Sequence, residues 1–405
     1  MNLLFLSLIM ILSFSKTNEY DKEIILGAAQ VSSYLPLLYG KRVALFSNKS
    51  GVVGNQHVLD LLLSLKVNVV LLFSPEHGFR GDASAGELVQ NSIDKVTGIP
   101  IHSLYGSHSS QLVPETTINK FDIIISDIQD VGLRFYTYYI TLIHLMNLCI
   151  DYNKQMIIFD RPNPNGFYVD GPILNMKYKS GIGYLPIPIV HGLTLGELAN
   201  MCNGEGWLKD KKKCNLTVIK LLNYTHKSRY EVPVSPSPNL PNMKSIYLYP
   251  SICLFESTKL SLGRGTDFPF QVYGHPNLKE FYDFHFIPQS KPGAMSPVQE
   301  GNICYGRDLR NISDDDIINK GINLEYIIDA FTKLKGDRNF FSNSFELLMG
   351  VDYVREMILN NTKADDIKKT WIDDVNKFKV QRKPYLLYDE YKSYVFLKFV
   401  IIFNH

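Results

Sequence analysis

Several motifs that mark common classes of enzyme are missing from this sequence. No G-x-G-x-x-G follows the first predicted strand, so a dinucleotide cofactor is not expected, and there is no P-loop, H-E-x-x-H or G-x-S-x-G motif. Cysteine is scarce. The five cysteines are odd in number, widely spaced and without metal-ligand spacing, which argues against a disulfide framework and a zinc site. The sequence therefore predicts a protein that works without a cofactor and without a bound metal.

An excess of charge of one sign is also lacking. Lys and Arg number 42 against 40 Asp and Glu, which gives a net charge of +2. The basic residues are dispersed rather than gathered in one stripe, so no nucleic-acid partner is predicted. Hydrophobic residues make up 45% of the chain and charged residues 20%, as in ordinary globular proteins. The length of 405 residues suits two domains better than one core.

Apolar runs stand near both ends of the chain. The run Leu3–Phe14 is too short to cross a bilayer and is typical of the central part of a secretory signal. It lacks a preceding basic residue and an Ala-x-Ala cleavage site, so an uncleaved anchor or a wrongly assigned start is the alternative. We expect residues 1–20 to be a signal segment and the mature protein to be periplasmic or secreted, without stable membrane insertion. Residues 391–405 form an apolar tail to which we assign no function.

The first half of the chain alternates between strand and helix patterns. Continuous apolar runs over residues 41–48, 67–74, 121–128 and 155–160 predict buried strands, and residues 57–65 and 136–152 have helical spacing. Such alternation is typical of a parallel sheet that is covered on both faces. In open parallel sheets, the carboxyl ends of the strands form the ligand cleft. The polar residues at or just after the predicted strand ends are Asn48, Glu76, Asp127 and Asp160. Turn formation and helix capping are the alternative reasons for polar residues there.

The second half has a different pattern. Residues 232–241, VPVSPSPNLP, are too rich in Pro and Ser for regular structure and predict a linker or rim segment. Beyond them, helices are predicted over 325–335 and 363–379. We therefore expect an α/β fold: a Rossmann-like parallel-sheet catalytic domain over residues 21–235, followed by a smaller α+β auxiliary domain over residues 236–390, with the active site in the cleft between them.

The segment SPEHGFRG, residues 74–81, is the strongest cluster of reactive side chains. It places Glu76, His77 and Arg80 just after a buried strand. A glutamate beside apolar residues at a cleft edge has a raised pKa and suits general acid catalysis. Arg80 would hold Glu76 ionised or bind an anionic group of a substrate. The alternative is a simple turn in which Glu76 pairs with Arg80.

The segment DIQDVGLRFYTY, residues 127–138, is the second cluster. Gly132 permits a tight turn, and a helix beginning there would offer free N–H groups to an anion or a sugar hydroxyl. Capping and core packing are the alternative roles. The candidate site residues in this segment are Asp127, Gln129, Asp130, Arg134 and Tyr136.

Three further segments supply candidate ligand-binding residues. The stiff loop DRPNPNG, residues 160–166, presents Asp160, Arg161 and Asn163. His191 precedes Thr194 and Glu197, which have the spacing of a helix capping box, so Glu197 is expected to be structural. Glu256 and Arg264 either close the cleft from the second domain or pair with each other.

The sequence resembles the exo-β-N-acetylmuramidases of the NamZ type, glycoside hydrolase family 171. The resemblance lies in the segments described above and in SPSPNLP, YPSICLFESTKLSLGRGT, SKPGA with CYG, and RKPYLLY. The resemblance runs in order from about Ile25 to Tyr388. It implies a Rossmann-like domain, an auxiliary domain, and release of terminal N-acetylmuramic acid from the non-reducing ends of peptidoglycan fragments. It also implies that Glu76 is the catalytic glutamate and that a tyrosine takes part, for which we nominate Tyr136.

The resemblance leads to a mechanistic hypothesis. Glu76 would protonate the glycosidic oxygen, and Asp127, Asp130 or the acetamido group of the substrate would stabilise the positive charge of the transition state. A buried arginine would recognise the lactyl carboxylate of the sugar, and the candidates are Arg80, Arg134, Arg161 and Arg264. Two alternatives are a non-catalytic cell-wall binding protein and a metal-dependent hydrolase that uses Glu76, His77, Asp127, Asp160 and His191.

Overall fold

The computed structural model describes residues 22–75, 78–79, 91–104, 113–337 and 339–390. The candidates Glu76, His77 and Arg80 lie outside these ranges, as do the expected signal segment and the apolar tail. No helix within the described ranges is both long enough and apolar enough to span a bilayer.

A mostly parallel sheet forms the centre of the first half. The strands of the described residues are β1 (Arg42–Ser47), β2 (Val52–Val53), β3 (Gln56–His57), β4 (Asn68–Ser74), β5 (Ser92–Ile93), β6 (Pro100–Ser103), β7 (Ile123–Asp127), β8 (Gln155–Phe159), β9 (Asn215–Ile219), β10 (Val272–His275), β11 (His285–Phe286) and β12 (Cys304–Asp308). The seven-stranded sheet has the order β5-β6-β4-β1-β7-β8-β9, in which β5 alone is antiparallel to its neighbour. The parallel strands thus have the Rossmann order 3-2-1-4-5-6, and the order reverses between β1 and β7.

Helices cover both faces of this sheet. The helices of the described residues, in both halves of the chain, are α1 (Val31–Leu38), α2 (Val58–Ser64), α3 (Glu115–Ile118), α4 (Tyr138–Asp151), α5 (Leu195–Gly204), α6 (Met243–Ile252), α7 (Asp314–Lys320), α8 (Glu325–Lys333), α9 (Phe345–Met349), α10 (Tyr353–Leu359), α11 (Ala364–Lys369) and α12 (Ile372–Arg382). Alternate residues of β1 point to opposite faces: Val43 and Leu45 pack with α1 and α2, whereas Ala44 and Phe46 pack with α4. Because both faces are buried, the strand reads as a continuous apolar run.

The second half is smaller and mixed. Strands β10, β12 and β11 form an antiparallel sheet, and helices α6 to α12 belong to the same half of the chain. Its apolar core is continuous with one face of the first domain, as the contact between the rings of Phe135 and Tyr249 at 5.2 Å illustrates. The predicted two-domain α/β class is confirmed. Residues 232–241 contain neither helix nor strand, as their composition predicts.

The helix predicted over residues 363–379 is wrong as a single element. The structure has two helices, α11 and α12, with a break at Thr370 and Trp371. The Thr370 hydroxyl donates to the carbonyl of Ile367, and the indole N–H of Trp371 donates to Asp170 at 2.9 Å. Trp371 is thereby held against another part of the chain at the break between the two helices. The apolar side chains that have helical spacing in this region, Ile367, Trp371, Val375 and Phe378, are nevertheless all buried.

Candidate active site

The reversal of strand order between β1 and β7 defines the candidate site. Asn48 follows β1, and Asp127 is the last residue of β7; both are buried. The Ser50 hydroxyl connects the two strand ends, because it donates to Asn48 Oδ1 at 2.5 Å and accepts from the backbone N–H of Gln129 at 3.2 Å. Asp160 follows β8, the next strand of the sheet. The predicted convergence of Asn48, Asp127 and Asp160 on one sheet edge is confirmed.

Asp127 and Arg161 form a buried bidentate ion pair. Arg161 Nε lies 2.6 Å from Asp127 Oδ1 and Nη2 lies 2.9 Å from Oδ2, with side chains that are 3% and 0% exposed. Arg161 Nη2 also donates to the carbonyl of Val52 at 2.9 Å, which ties in the hairpin after β1. Since both carboxylate oxygens are engaged by the guanidinium, Asp127 is suited to positioning and charge balance rather than to attack on a substrate.

Asp130 is in a contrasting environment. Its Oδ1 accepts from the N–H of Gly132 at 2.7 Å, whereas Oδ2 has no hydrogen-bond partner among the described residues. Burial raises the pKa of Asp130 to about 7, although hydrogen bonds from the N–H groups of Gly132 and Val131 oppose the rise. Asp130, Arg161 and Thr194 line one cavity of about 10 Å³. Asp130 is therefore a carboxyl group that can give or take a proton near neutral pH.

Gly132 makes the turn after Asp130 possible. Its φ of 77° lies in the left-handed region, and a Cβ atom there would lie 2.2 Å from Asn163 Nδ2. Asn163 itself donates to the carbonyl of Leu193 at 2.9 Å. Gln129 Nε2 donates to the carbonyls of Asp130 and Pro162, both at 2.8 Å. The predicted residue Gln129 thus holds the loops after β7 and β8 together, and the predicted residue Asn163 connects the loop after β8 to the loop before α5.

Asp160 accepts four hydrogen bonds. Oδ2 receives the hydroxyls of Thr194 at 2.7 Å and Tyr388 at 2.6 Å, and Oδ1 receives the N–H groups of Gly196 at 3.0 Å and Arg161 at 3.1 Å. Burial raises the pKa of Asp160 to about 6, and the hydrogen bonds from Tyr388 and Thr194 act in the opposite direction. Asp160 is therefore ionised at neutral pH and fully satisfied by donors.

His191 and Glu197 are also enclosed by the protein. Burial, followed by the charge of Arg382, lowers the pKa of His191 to about 3, so its ring is neutral. Nδ1 of His191 accepts from the N–H of Leu193 at 3.2 Å. The predicted capping box of Thr194 and Glu197 is confirmed at the start of α5. Glu197 also contacts His226 Nε2 at 2.9 Å, a buried pair that the sequence analysis missed.

Two tyrosines form one wall beside the strand ends. The hydroxyls of Tyr136 and Tyr138 donate to the carbonyl of Pro236 at 3.0 and 3.1 Å, and their rings lie 4.7 Å apart. Asn48 Nδ2 donates to the Tyr138 hydroxyl at 2.9 Å. Burial raises the pKa of Tyr136 well above its ordinary value, so the phenol stays protonated. The Pro-rich segment is thus part of the site.

The aromatic wall continues into the second domain. The ring of Tyr136 lies 6.3 Å from that of Tyr249, which lies 4.8 Å from Phe270, and the guanidinium of Arg264 lies 5.0 Å from the Phe270 ring. Arg264 Nε donates to Glu256 Oε1 at 3.0 Å, and the two side chains are 29% and 33% exposed. Glu256 and Arg264 therefore pair with each other and stand at the accessible end of the wall.

Arg134 lies apart from this group. Its fully buried guanidinium donates to four backbone carbonyls at 2.7–3.0 Å, which belong to Pro172, Ile187, Leu348 and Met349. These bonds join the first domain to α9 of the second, so the geometry favours a structural role. Among the described residues, no three His, Cys, Asp or Glu side chains are arranged to hold a metal ion. Asp127, Asp160 and His191 are instead engaged separately, as described above.

Comparisons with known proteins agree with this architecture. The sequence matches the N-terminal domain of exo-β-N-acetylmuramidase NamZ over residues 43–244 and the C-terminal domain over residues 247–388. The peptidoglycan β-N-acetylmuramidase NamZ of Bacillus subtilis (strain 168) is 35% identical over 376 residues, 88% of this chain and 89% of the relative.

Two crystal structures of DUF1343 family proteins from Bacteroides fragilis NCTC 9343 share the fold. One is 57% identical, with a TM-score of 0.85 and coverage of 91% of this chain and 99% of the other. The second is 29% identical, with a TM-score of 0.77 and coverage of 90% and 99%. The family match covers both halves of the chain, and the alignments cover nearly the whole length of the relatives. The chain therefore belongs to the exo-β-N-acetylmuramidase NamZ family.

Proposed function

We propose that this protein is a glycoside hydrolase that removes terminal N-acetylmuramic acid from the non-reducing ends of peptidoglycan fragments. The observation that carries the proposal is the match of both domains to the NamZ family, together with the relationship to a peptidoglycan β-N-acetylmuramidase. The signal-like segment at residues 1–20 supports a periplasmic or secreted location, where such fragments are accessible.

Glu76 is the proposed general acid. Strand β4 ends at Ser74, two residues before Glu76, and pairs with β1, one of the two strands between which the strand order reverses. The segments that follow the carboxyl ends of the strands generally bind the ligand in open parallel sheets. Protonation of the glycosidic oxygen by Glu76 would let the bond to the muramic acid break while positive charge develops on the sugar ring.

Asp130 is the proposed second carboxylate. The sequence left Asp127 and Asp130 as alternatives, and the geometry favours Asp130. The carboxylate of Asp127 is occupied by Arg161, whereas Asp130 Oδ2 is without a hydrogen-bond partner within the described part of the chain. A pKa near 7 lets Asp130 act either as the base that activates water or, once ionised, as the charge that stabilises an oxocarbenium-like transition state.

Arg264 is the proposed ligand of the lactyl carboxylate, which distinguishes N-acetylmuramic acid from N-acetylglucosamine. Of the three described candidates, Arg134 is committed to backbone carbonyls and Arg161 to Asp127, whereas Arg264 is partly exposed at the aromatic wall. We expect Arg264→Ala to lower the preference of kcat/KM for muramyl over glucosaminyl substrates by about tenfold or more, the usual value of a charge-assisted hydrogen bond. An unchanged preference would contradict this assignment.

Hydrolysis of a chromogenic N-acetylmuramic acid β-glycoside tests the proposed activity. We expect the purified protein to release the chromophore and Glu76→Gln to lower kcat about a hundredfold or more, the scale of general acid catalysis. The exposed Glu280 provides a matched control, since Glu280→Gln makes the same chemical change on the surface of the second domain. An inactive wild type, or equal rates for the two variants, would contradict the proposal. Inhibition by a chelator would favour the metal-dependent alternative.

A further inference from the structure

The segment after α12 returns from the second domain to the first. Leu387 donates its N–H to Glu197 Oε1 at 2.8 Å, and the carbonyl of Asp389 accepts from the N–H of His226 at 3.0 Å. Arg382, just before the segment, donates to the carbonyl of Gly192 at 2.5 Å and pairs with Glu390. Residues 383–390, here called the return segment, are therefore bonded to the first turn of α5, to the loop after β9 and, through Arg382, to the loop before α5.

Tyr388 is the most deeply inserted side chain of the return segment. Its ring is buried and meets the ring of Tyr224 edge-on at 5.0 Å. Its hydroxyl accepts from the N–H of Leu221 at 3.0 Å and donates to Asp160 Oδ2 at 2.6 Å. Both polar functions of the hydroxyl are thus used, and the proton of the hydroxyl is directed to Asp160.

Asp160 transmits this contact to the candidate active site. Its other oxygen accepts from the N–H of Arg161, whose guanidinium holds both oxygens of Asp127 at the end of β7. Arg161 also donates to the carbonyl of Val52 in β2, the first strand of the hairpin after β1. One connected set of hydrogen bonds therefore runs from Tyr388 through the loop after β8 to the reversal of strand order between β1 and β7.

We propose that Tyr388 is a positioning residue of the glycosidase reaction, which acts from the return segment by fixing the side chain of Asp160 and, through Arg161, the orientation of Asp127. This inference rests on the proposed function. Among the described residues, the Tyr388 hydroxyl bonds to Leu221 and Asp160 and not to the candidate carboxyl group of Asp130, so its loss would misalign the site without removing a group that acts on the substrate. A displacement of about 1 Å in such a site can lower the rate by about a hundredfold.

The charge state of Asp160 gives this role a signature. The groups that face it are the carboxyl group of Glu197, the phenol of Tyr224, the hydroxyls of Tyr388 and Thr194, and the backbone N–H groups of Gly196 and Arg161. His226 and Arg382 lie farther away, beside Glu197. Because the Tyr388 hydrogen bond lowers the pKa of Asp160, removal of the hydroxyl favours the protonated form. A protonated Asp160 would lose some of the hydrogen bonds that it accepts. In the protein without the Tyr388 hydroxyl, this loss would occur at a pH where the wild type still keeps those hydrogen bonds.

The experiment compares Tyr388→Phe with Tyr385→Phe in the full-length protein. Tyr385 lies in the same segment and donates its hydroxyl to Glu205 at 2.7 Å, away from Asp160, so the two variants lose the same atom from the same piece of chain. We expect Tyr388→Phe to lower kcat tenfold to a hundredfold with a smaller change in KM, and to move the acid limb of the pH profile to higher pH. Tyr385→Phe should stay within about twofold of the wild type at every pH.

Three results would overturn the proposal. Equal kcat and equal acid limbs for the two variants would show that Tyr388 has no positioning role, and a loss of activity that only follows the unfolded fraction, measured by thermal unfolding, would show a purely structural one. If Tyr388→Phe does not fold, Thr194→Val replaces it, because Thr194 is the other hydroxyl donor to Asp160 Oδ2. An unshifted acid limb in the pH profile of Thr194→Val would contradict the role of Asp160. An inactive wild type would instead contradict the proposed function itself.

Discussion

The loops after β7 and β8 each bury an aspartate, and the surroundings of the two carboxyl groups differ. Asp160, after β8, accepts four hydrogen bonds. Asp130, after β7, accepts from backbone N–H groups through one oxygen, and its other oxygen has no hydrogen-bond partner within the described part of the chain. Burial raises the pKa of both, to about 6 and about 7. A full set of donors marks a structural carboxylate, whereas an unsatisfied oxygen with a pKa near neutrality marks a group available for chemistry.

Substitution of Asp130 gives the largest expected effect. Asp130→Asn keeps the size of the side chain and removes its proton chemistry, so we expect kcat/KM on a muramyl substrate to fall between about a hundredfold and ten-thousandfold. The folded state should be retained, since one oxygen can still accept from Gly132. Steady-state kinetics and thermal unfolding of the same preparation measure both quantities. Nearly normal turnover of Asp130→Asn would contradict the assigned difference between the two loops. Asp127 would then again be a candidate for the second catalytic carboxylate.

The ion pair between the loops gives the next effect. Arg161→Met leaves the charge of Asp127 buried and unpaired, which we expect to lower the free energy of unfolding by about 3–5 kcal/mol. Arg42→Met is the matched control: its pair with Asp122, at 2.7 Å, is 45% and 34% exposed, so we expect its loss to lower the free energy of unfolding much less. Urea unfolding of both variants, analysed with a common dependence of the free energy of unfolding on urea concentration, measures the two losses. Equal losses would mean that burial does not distinguish these pairs.

The pH dependence of stability should give the most specific effect. The folded-state pKa of Asp130 is raised to about 7 from an ordinary value near 4, so the folded protein binds a proton that the unfolded chain releases. Its contribution to stability is fully present below pH 4 and is lost as the pH rises through 7. Asp130→Asn should therefore gain stability relative to the wild type as the pH increases from 4 to 7.

Unfolding measured at several pH values tests this difference directly. Asp160 contributes with the same sign over a lower window, up to about pH 6, and His191 with the opposite sign, since its pKa is lowered to about 3. Both groups remain in the Asp130→Asn variant, so their contributions to the free energy of unfolding cancel in the comparison with the wild type. A difference that stays constant from pH 4 to pH 7 would show that the pKa of Asp130 is not raised by the fold.

Much of this arrangement was accessible from sequence, because apolar runs and polar strand ends are local signals. The strands around Asp127 and Asp160 and the capping box at Glu197 follow from composition and spacing. Partners that are distant in the chain gave no local signal. The four carbonyls around Arg134 and the break at Trp371 depend on segments brought close only by the fold. Tyr388 lay within a segment noted for its resemblance, yet its contact with Asp160 could not be read from spacing.

The return segment has a consequence for the timing of biosynthesis. Tyr388 is separated from Asp160 by 228 residues and Leu387 from Glu197 by 190, so the first domain acquires these hydrogen bonds only after the second has been made. At a synthesis rate of about 5–20 residues per second, the buried carboxylates of the first domain wait on the order of ten to forty seconds for their partners. A nascent chain of this protein therefore reaches its finished first domain only when residues beyond α12 have emerged, and ribosome-released fragments that stop before them would be expected to be substrates for proteases.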